Sequence, residues 1–204
     1  MPQGGYAVAP GAYAQPGQGY GLPPRLVPAA PNGQPLASFG DRLLAYLLDI
    51  LILALATTVL TIPAVIAMFV IISDAARRVE TDPVTGEILS EPDPFSVMLP
   101  IVGIFLALLV LSLAISYVYY VEMMYKRAST VGKRVMKLRI IRLDDSREPL
   151  TRGIAVRRWV VGHLVGGFVP FFSYLDGFWQ LWDKPFQQCL HDKWANTVVV
   201  KVDA

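Results

Sequence analysis

Arg42 and Asp49 stand in the stretch FGDRLLAYLLDILILALATTVL, residues 39–60, where almost every neighbour is apolar. An ionised side chain at the centre of a membrane helix costs roughly 2.5–3.5 kcal/mol on insertion scales. Asp49, if embedded, must therefore be paired, protonated or in touch with water. A separation of seven residues is two helical turns, which puts both on one face about 10 Å apart along the axis. Helical side chains lean toward the N-terminus, so Arg42 leans away from Asp49 and toward lipid headgroups. The spacing predicts no direct bond between them and a separate partner for each. Two chemistries fit such a carboxylate. It ties to a cation from another helix and holds a bundle, or it handles an ion or proton. The candidate charge network is Arg42, Asp49, Glu122 and Asp192, with Lys133, Arg158, His163, Asp176 and His191 as secondary candidates.

The elements that must position these residues are mostly membrane segments. The chain has 204 residues, 54% hydrophobic and 17% charged, against about a quarter charged in an ordinary globular domain. Residues 43–72 hold one charge, Asp49, and residues 97–121 hold none. Either block exceeds the roughly 20 residues a helix needs to cross a hydrocarbon core. Residues 50–72 alone could span, so the depth of Asp49 stays open at this point. Tyr117, Tyr119, Tyr120 and Tyr125 form an aromatic belt at the end of the second block. Residues 1–37, rich in Pro, Gly and scattered Tyr, carry no hydrophobic period and read as a disordered tail ahead of a membrane domain at 38–204.

Charge sets the expected orientation. Residues 73–95 carry six acids against two arginines, whereas 122–158 carry eleven Lys/Arg against four acids. The positive-inside rule makes 122–158 cytoplasmic, 73–96 extracytoplasmic and the N-terminus cytoplasmic, in a multi-pass cell-membrane protein. KLRIIRL (137–143) and TVVVKV (197–202) read as short strands. Two lone strands pair readily, because an unpaired edge is unfavourable. Their pairing makes the C-terminus cytoplasmic as well. The third apolar region, about 153–183, must then leave and return on one side. Gly166, Gly167, Pro170 and Gly177 offer places to break a helix, so a bent or re-entrant hairpin is favoured there over a single span. Irregular backbone at that depth needs protein or a wet cavity around it, which predicts a polar pocket nearby.

Enzymatic signatures are missing from the sequence. STVGKRV lacks the spaced first glycine and the Ser/Thr after Lys that a nucleotide loop needs. There is one cysteine, Cys189, and no zinc spacing, Ser-His-Asp order or GxSxG elbow. The expectation is a protein that is not an enzyme, with no cofactor, no metal and no nucleic-acid partner.

Three pieces, DRLLAYLLDILIL (41–53), STVGKRVMKLRIIRLDD (129–145) and LHDKWANTVVV (190–200), together resemble the RDD family of bacterial membrane proteins, named for one arginine and two aspartates. Arg42 and Asp49 match the arginine and the first aspartate, Asp192 the second, and Gly132-Lys133 the middle Gly-Lys pair. Where the family often has a second glycine this chain has Lys137, and the backbone there is expected to need none. The resemblance implies a small polytopic protein with transport suggested. The expected fold is all-α and polytopic, a small bundle of 3–4 membrane segments with a short cytoplasmic two-stranded β element. Two functions compete: ion- or proton-coupled transport, as a transporter or a component of one, and a non-catalytic scaffold or assembly factor stabilised by its intramembrane charges. Expected partners are the bilayer, anionic lipid at the basic loop, and a second copy or another membrane protein.

Overall fold

The computed structural model describes residues 5–8, 26–144 and 147–202. The chain divides into two units, one comprising residues 51–116 and the other the chain before and after it. Among the described residues two helices are long and apolar enough to cross a membrane, Phe39–Arg77 and Pro94–Arg127. The third apolar region is not a third such helix.

Helix α1, Phe39–Arg77, starts where Ser38 caps it. The Ser38 hydroxyl accepts from the Asp41 N–H at 3.1 Å and donates to the Asp41 carboxylate at 2.9 Å, which satisfies an orphan donor of the first turn. Over residues 51–77 its side chains point outward, with Val59 70% and Phe69 71% exposed, as a lipid-facing surface requires. Thr57, Thr58 and Thr61 donate to carbonyls one turn back at 2.8–3.0 Å, so their hydroxyls stay bonded within the helix. A two-stranded turn follows, β3 (Glu80–Thr81) against β4 (Ile88–Ser90), closed by Asp82 accepting from the Val84 and Thr85 N–H groups. Helix α2, Pro94–Tyr117, runs on through a π-helical turn, Val118–Glu122, into α3, Met123–Arg127.

The other unit is built largely on antiparallel backbone pairings, three of which matter here. Strand β1 (Gly5–Val8) pairs antiparallel with β2 (Leu26–Ala29). Strand β5 (Leu138–Arg142) pairs antiparallel with β6 (Thr197–Lys201), Ile140 opposite Val199, as the two β-branched runs predicted. The third pairing was not anticipated. Residues 35–37 lie along the free edge of β6, with Ala37 N–H on the Val199 carbonyl at 3.0 Å and Lys201 N–H on the Pro35 carbonyl at 2.9 Å. β6 is thus central, and Thr197 to Val200 are buried on both faces. That explains its unbroken run of valines. Leu36 joins Ile141, Phe186, Val198 and Val200 in the hydrophobic core. Assigning all of 1–37 to a disordered tail is therefore corrected for 5–8, which pair with β2, and for 26–37, where Pro35, Leu36 and Ala37 close the edge of β6. Residues 1–4 and 9–25 of that tail lie outside the described residues.

The short helix α4 (Val131–Val135) precedes β5, and between β5 and β6 run α5 (Arg152–Trp159), a π-helical segment Val160–Val165, α6 (Gly166–Phe168), α7 (Phe172–Phe178), a 3₁₀ turn Trp179–Leu181 and α8 (Leu190–Trp194). The chain reverses at Val169–Phe171. Phe171 adopts φ +64° there, and the Ser173 hydroxyl donates to the Gly166 carbonyl at 3.1 Å across the bend.

Lys137 corrects a second expectation. It links α4 to β5 with φ +55°, a left-handed conformation that glycine adopts freely and a lysine does not. The turn is fixed by its N–H on the Arg134 carbonyl and its carbonyl on the Val202 N–H, both at 2.9 Å. Lys137→Gly is expected to leave thermal stability unchanged or raise it by up to about 1 kcal/mol, while Lys137→Val lowers it by more than that. Thermal unfolding in detergent, followed by size-exclusion fluorescence, measures both.

Candidate functional site

Asp49 is the first piece of the site. Arg42, Ala45 and Asp49, at spacings of three and four, are the buried stripe of α1, while Leu43, Leu44, Tyr46 and Leu47 are exposed. The Asp49 side chain is 1% exposed, and no arginine or lysine lies within ion-pair distance of it among the described residues. Its Oδ1 accepts from the Tyr119 hydroxyl at 2.6 Å and the Gly132 N–H at 2.7 Å, and its Oδ2 accepts from the Thr130 hydroxyl at 2.6 Å. Thr130 caps α4, its hydroxyl also accepting from the Lys133 N–H. The carboxylate thus serves the unpaired amides that open a helix, where negative charge is favoured. The expected cation from another helix is replaced by three neutral donors.

Gly132 is required by this contact. A Cβ on it would lie 2.2 Å from the Ala45 carbonyl oxygen and 2.7 Å from Asp49 Oδ1. Ala45, itself fully buried, is the small residue that lets the turn come so close.

Asp192 forms the second piece. It is fully buried, and its Oδ2 lies 3.4 Å from Arg42 Nη1 and accepts from the Cys189 N–H at 3.1 Å. Its Oδ1 pairs with Arg158 Nη1, which also reaches the Thr197 hydroxyl. Arg42 further donates to the carbonyls of Gln187 (2.8 Å) and Val199 (3.3 Å). Burial alone would raise the Asp192 carboxyl, but the charges of Arg158, His191 and Arg42 outweigh it and hold the group well below the usual 3.8. Arg42 is 7% exposed, so it does not lean out to headgroups as the sequence suggested; protein carbonyls and Asp192 take it inward.

The remaining candidates fall around these two. Asp176 Oδ2 lies 2.6 Å from His191 Nδ1, and Asp176 Oδ1 accepts the His191 N–H at 2.8 Å. His191 Nε2 stands 3.6 Å from Asp192 Oδ1, which joins this dyad to the second cluster. Lys133 makes no ion pair among the described residues. Burial, and less strongly the Arg158 charge, push its ammonium below the usual lysine value against the pull of Asp49 and Asp192. His163 stacks on Tyr120 with ring centroids 3.7 Å apart. Glu122 is placed elsewhere, bonded to Arg152 at 2.9 Å and to Lys126 at 3.6 Å. The four-residue network expected from sequence is therefore two clusters, with Arg42 and Asp192 together, Asp49 apart and Glu122 outside both.

Tyr119 and Thr130 were missed as site residues. Tyr119 read as one more belt tyrosine, and it is the π-helical register of 118–122 that turns its hydroxyl toward Asp49. A cap threonine two residues before a required glycine was the available signal. Cys189, His191 and Asp192 bring ligand atoms within 4.8 Å of one another, a spacing that could suit a metal ion. The donor set fits a cation poorly. Two guanidiniums occupy Asp192, Asp176 holds His191, and burial together with the Asp192 charge pushes the Cys189 thiol up.

Apolar helices joined to a compact unit whose buried arginines and aspartates sit in named positions define a membrane-protein class. A family model described as the RDD family matches residues 36–196, and the chain belongs to that family of membrane proteins. No curated protein and no solved structure matches the chain.

Two outcomes follow from the geometry. Gly132→Ala costs about 1–3 kcal/mol or more by overpacking, whereas Gly167→Ala, whose Cβ would meet nothing within 4 Å, is near neutral. Thermal shift of the detergent-purified proteins compares them. The lowered Asp192 value also has a pH consequence. A depressed carboxylate contributes stability that is present above its unfolded pKa and lost as pH falls toward the folded one. Unfolding temperature is expected to drop as pH falls below about 4, and that part of the drop is absent in Asp192→Asn.

Proposed function

We propose that this RDD-family protein is a non-catalytic membrane scaffold whose intramembrane charges are structural. The observation that carries the reading is the burial of both signature carboxylates among donors from other segments of the protein. Asp49 and Asp192 are 1% and 0% exposed and take their donors from α1, the π-helical turn, the α4 cap, α5 and α8. Neither can trade a proton or ion with water without opening contacts that hold those segments together. Removing one partner of a buried charged pair costs about 3–5 kcal/mol, a large part of a small domain's stability.

In this reading the protein is multi-pass in the cell membrane, with both termini and 122–158 cytoplasmic and 73–96 outside, as the charge asymmetry favours. Arg127, Arg134, Lys137, Arg139 and Arg157 are exposed on that basic segment and attract anionic headgroups, each worth about 1 kcal/mol near the surface. The two apolar helices, with so little of their surface covered, suit a second copy or another membrane protein as partner.

The competing reading makes Asp49 the titrating carboxylate of an ion- or proton-coupled transporter. Reconstitution of wild type and Asp49→Asn with a pH-sensitive dye separates the two. The expected result is no ion-coupled proton flux from wild type, and a loss of folded yield and thermal stability in Asp49→Asn. Flux in the wild type that vanishes in a normally folded Asp49→Asn protein would overturn the scaffold reading.

A further inference from the structure

We infer that residues 159–182 form a hairpin that dips into one leaflet of the bilayer and returns, with its tip at Val169–Phe171. The occupant of its exposed apolar face is lipid hydrocarbon.

Topology supplies the first argument. β5 and β6, which flank the segment in sequence, are hydrogen-bonded to each other, so the chain between them must start and end on the same side of any membrane it enters. It crosses twice or not at all. Length excludes two crossings. The returning leg, α7 with its 3₁₀ turn, is Phe172–Leu181 and rises about 16 Å. That matches one half of a hydrocarbon core about 30 Å thick and not the whole. The outgoing leg from Trp159 to Phe168 is of equal length, and the arginines Arg157 and Arg158 precede it.

The surface supplies the second. Phe168, Phe171, Tyr174, Phe178, Leu181 and Trp182 are 43–81% exposed, on a segment whose one charge, Asp176, is turned inward onto His191. Phe178 stacks on Phe39 at 5.7 Å, which makes this face continuous with the exposed leucines at the start of α1. Aromatic residues at the ends of such a leg suit the water interface.

Backbone chemistry supplies the third. Irregular backbone is costly in hydrocarbon wherever its polar groups lack partners, so the non-helical part of such a dip has to be short. At the tip Pro170 has no N–H, while Val169 donates to the Val165 carbonyl at 2.8 Å and Phe172 to the Val169 carbonyl at 3.2 Å. Gly166 and Ser173 bring the two legs together at the bend. None of this depends on whether the charge clusters are structural or transport-linked.

The test is a nitroxide at Phe171→Cys, with Tyr174→Cys as a second position, in the full chain in phosphatidylcholine–phosphatidylglycerol vesicles. Both residues are exposed, so neither change removes a packed side chain. Accessibility to oxygen several-fold above that of a label at Lys184→Cys, with little accessibility to a water-soluble nickel chelate, is the expected result. High nickel accessibility places the tip in water and overturns the inference. Low accessibility to both reagents places it against protein, such as a second copy, and overturns it equally. An impermeant maleimide should label Gly153→Cys and Lys184→Cys from the same side of the vesicle; labelling from opposite sides would establish a full crossing.

Discussion

The cost of keeping an ionised carboxylate away from water governs the rest of this structure. A carboxylate with no partner in a low-dielectric interior either neutralises or destabilises the fold. Asp49 and Asp192 are both met by donors that come from several stretches of chain. Asp49 joins α1 to the π-helical turn and the α4 cap. Asp192 joins α8 to α1 through Arg42, to α5 through Arg158, and through both arginines to backbone and hydroxyl groups beside β6. Residues 42 and 192 lie near opposite ends of the chain, so closing these bonds fixes the topology of the whole unit. The hydrophobic core around Leu36, Ile141 and Val198 is small by comparison.

The two clusters solve that cost differently. Asp192 is held by charge, with two guanidiniums for one carboxylate, and its partners keep it ionised. Asp49 is held by a phenol, an alcohol and an amide, none of which brings a charge. Lys133 is what links the two electrostatically, feeling Asp49 and Asp192 together without bonding either. Arg42 and Arg158 meet Asp192, His191 meets Asp176, and Lys133 makes no ion pair among the described residues. Dipoles can stand in for an absent cation when several point at one oxygen pair, as hydroxyls and amides do here.

What the sequence made legible was whatever depends on local pattern. The β-branched runs at 137–143 and 197–202 announced a strand pair, because period and composition act over a few residues. The lack of a direct Arg42–Asp49 bond followed from side-chain direction alone. Contacts across the chain were hidden. Nothing in STVGKRV says that its amide meets a carboxylate 83 positions earlier, since that depends on α4 ending against the small Ala45. Of the adjacent Arg157 and Arg158, helix phase buries only the second, and the phase is set by packing on α8. At Lys137 the lysine argued against a glycine-requiring turn, yet its backbone adopts the left-handed conformation to which the family's glycine points.

Helix α1 also shows how a membrane protein divides one surface between lipid and protein. Over residues 39–50 the stripe of Arg42, Ala45 and Asp49 is buried, and Leu43, Leu44 and Leu47 between them are exposed. In water such leucines would be driven inward; beside hydrocarbon they lose nothing by staying out. A polar residue on the same helix is under the opposite pressure, since only the protein side offers donors. The ordinary inside–outside pattern is therefore reversed along this stretch, with charge inside and leucine outside. The same reversal recurs at Asp176, which turns in to His191 while Phe171, Tyr174 and Phe178 turn out. Two segments far apart in sequence share one rule, polar side chain inward and apolar side chain outward, and they meet where Phe39 stacks on Phe178.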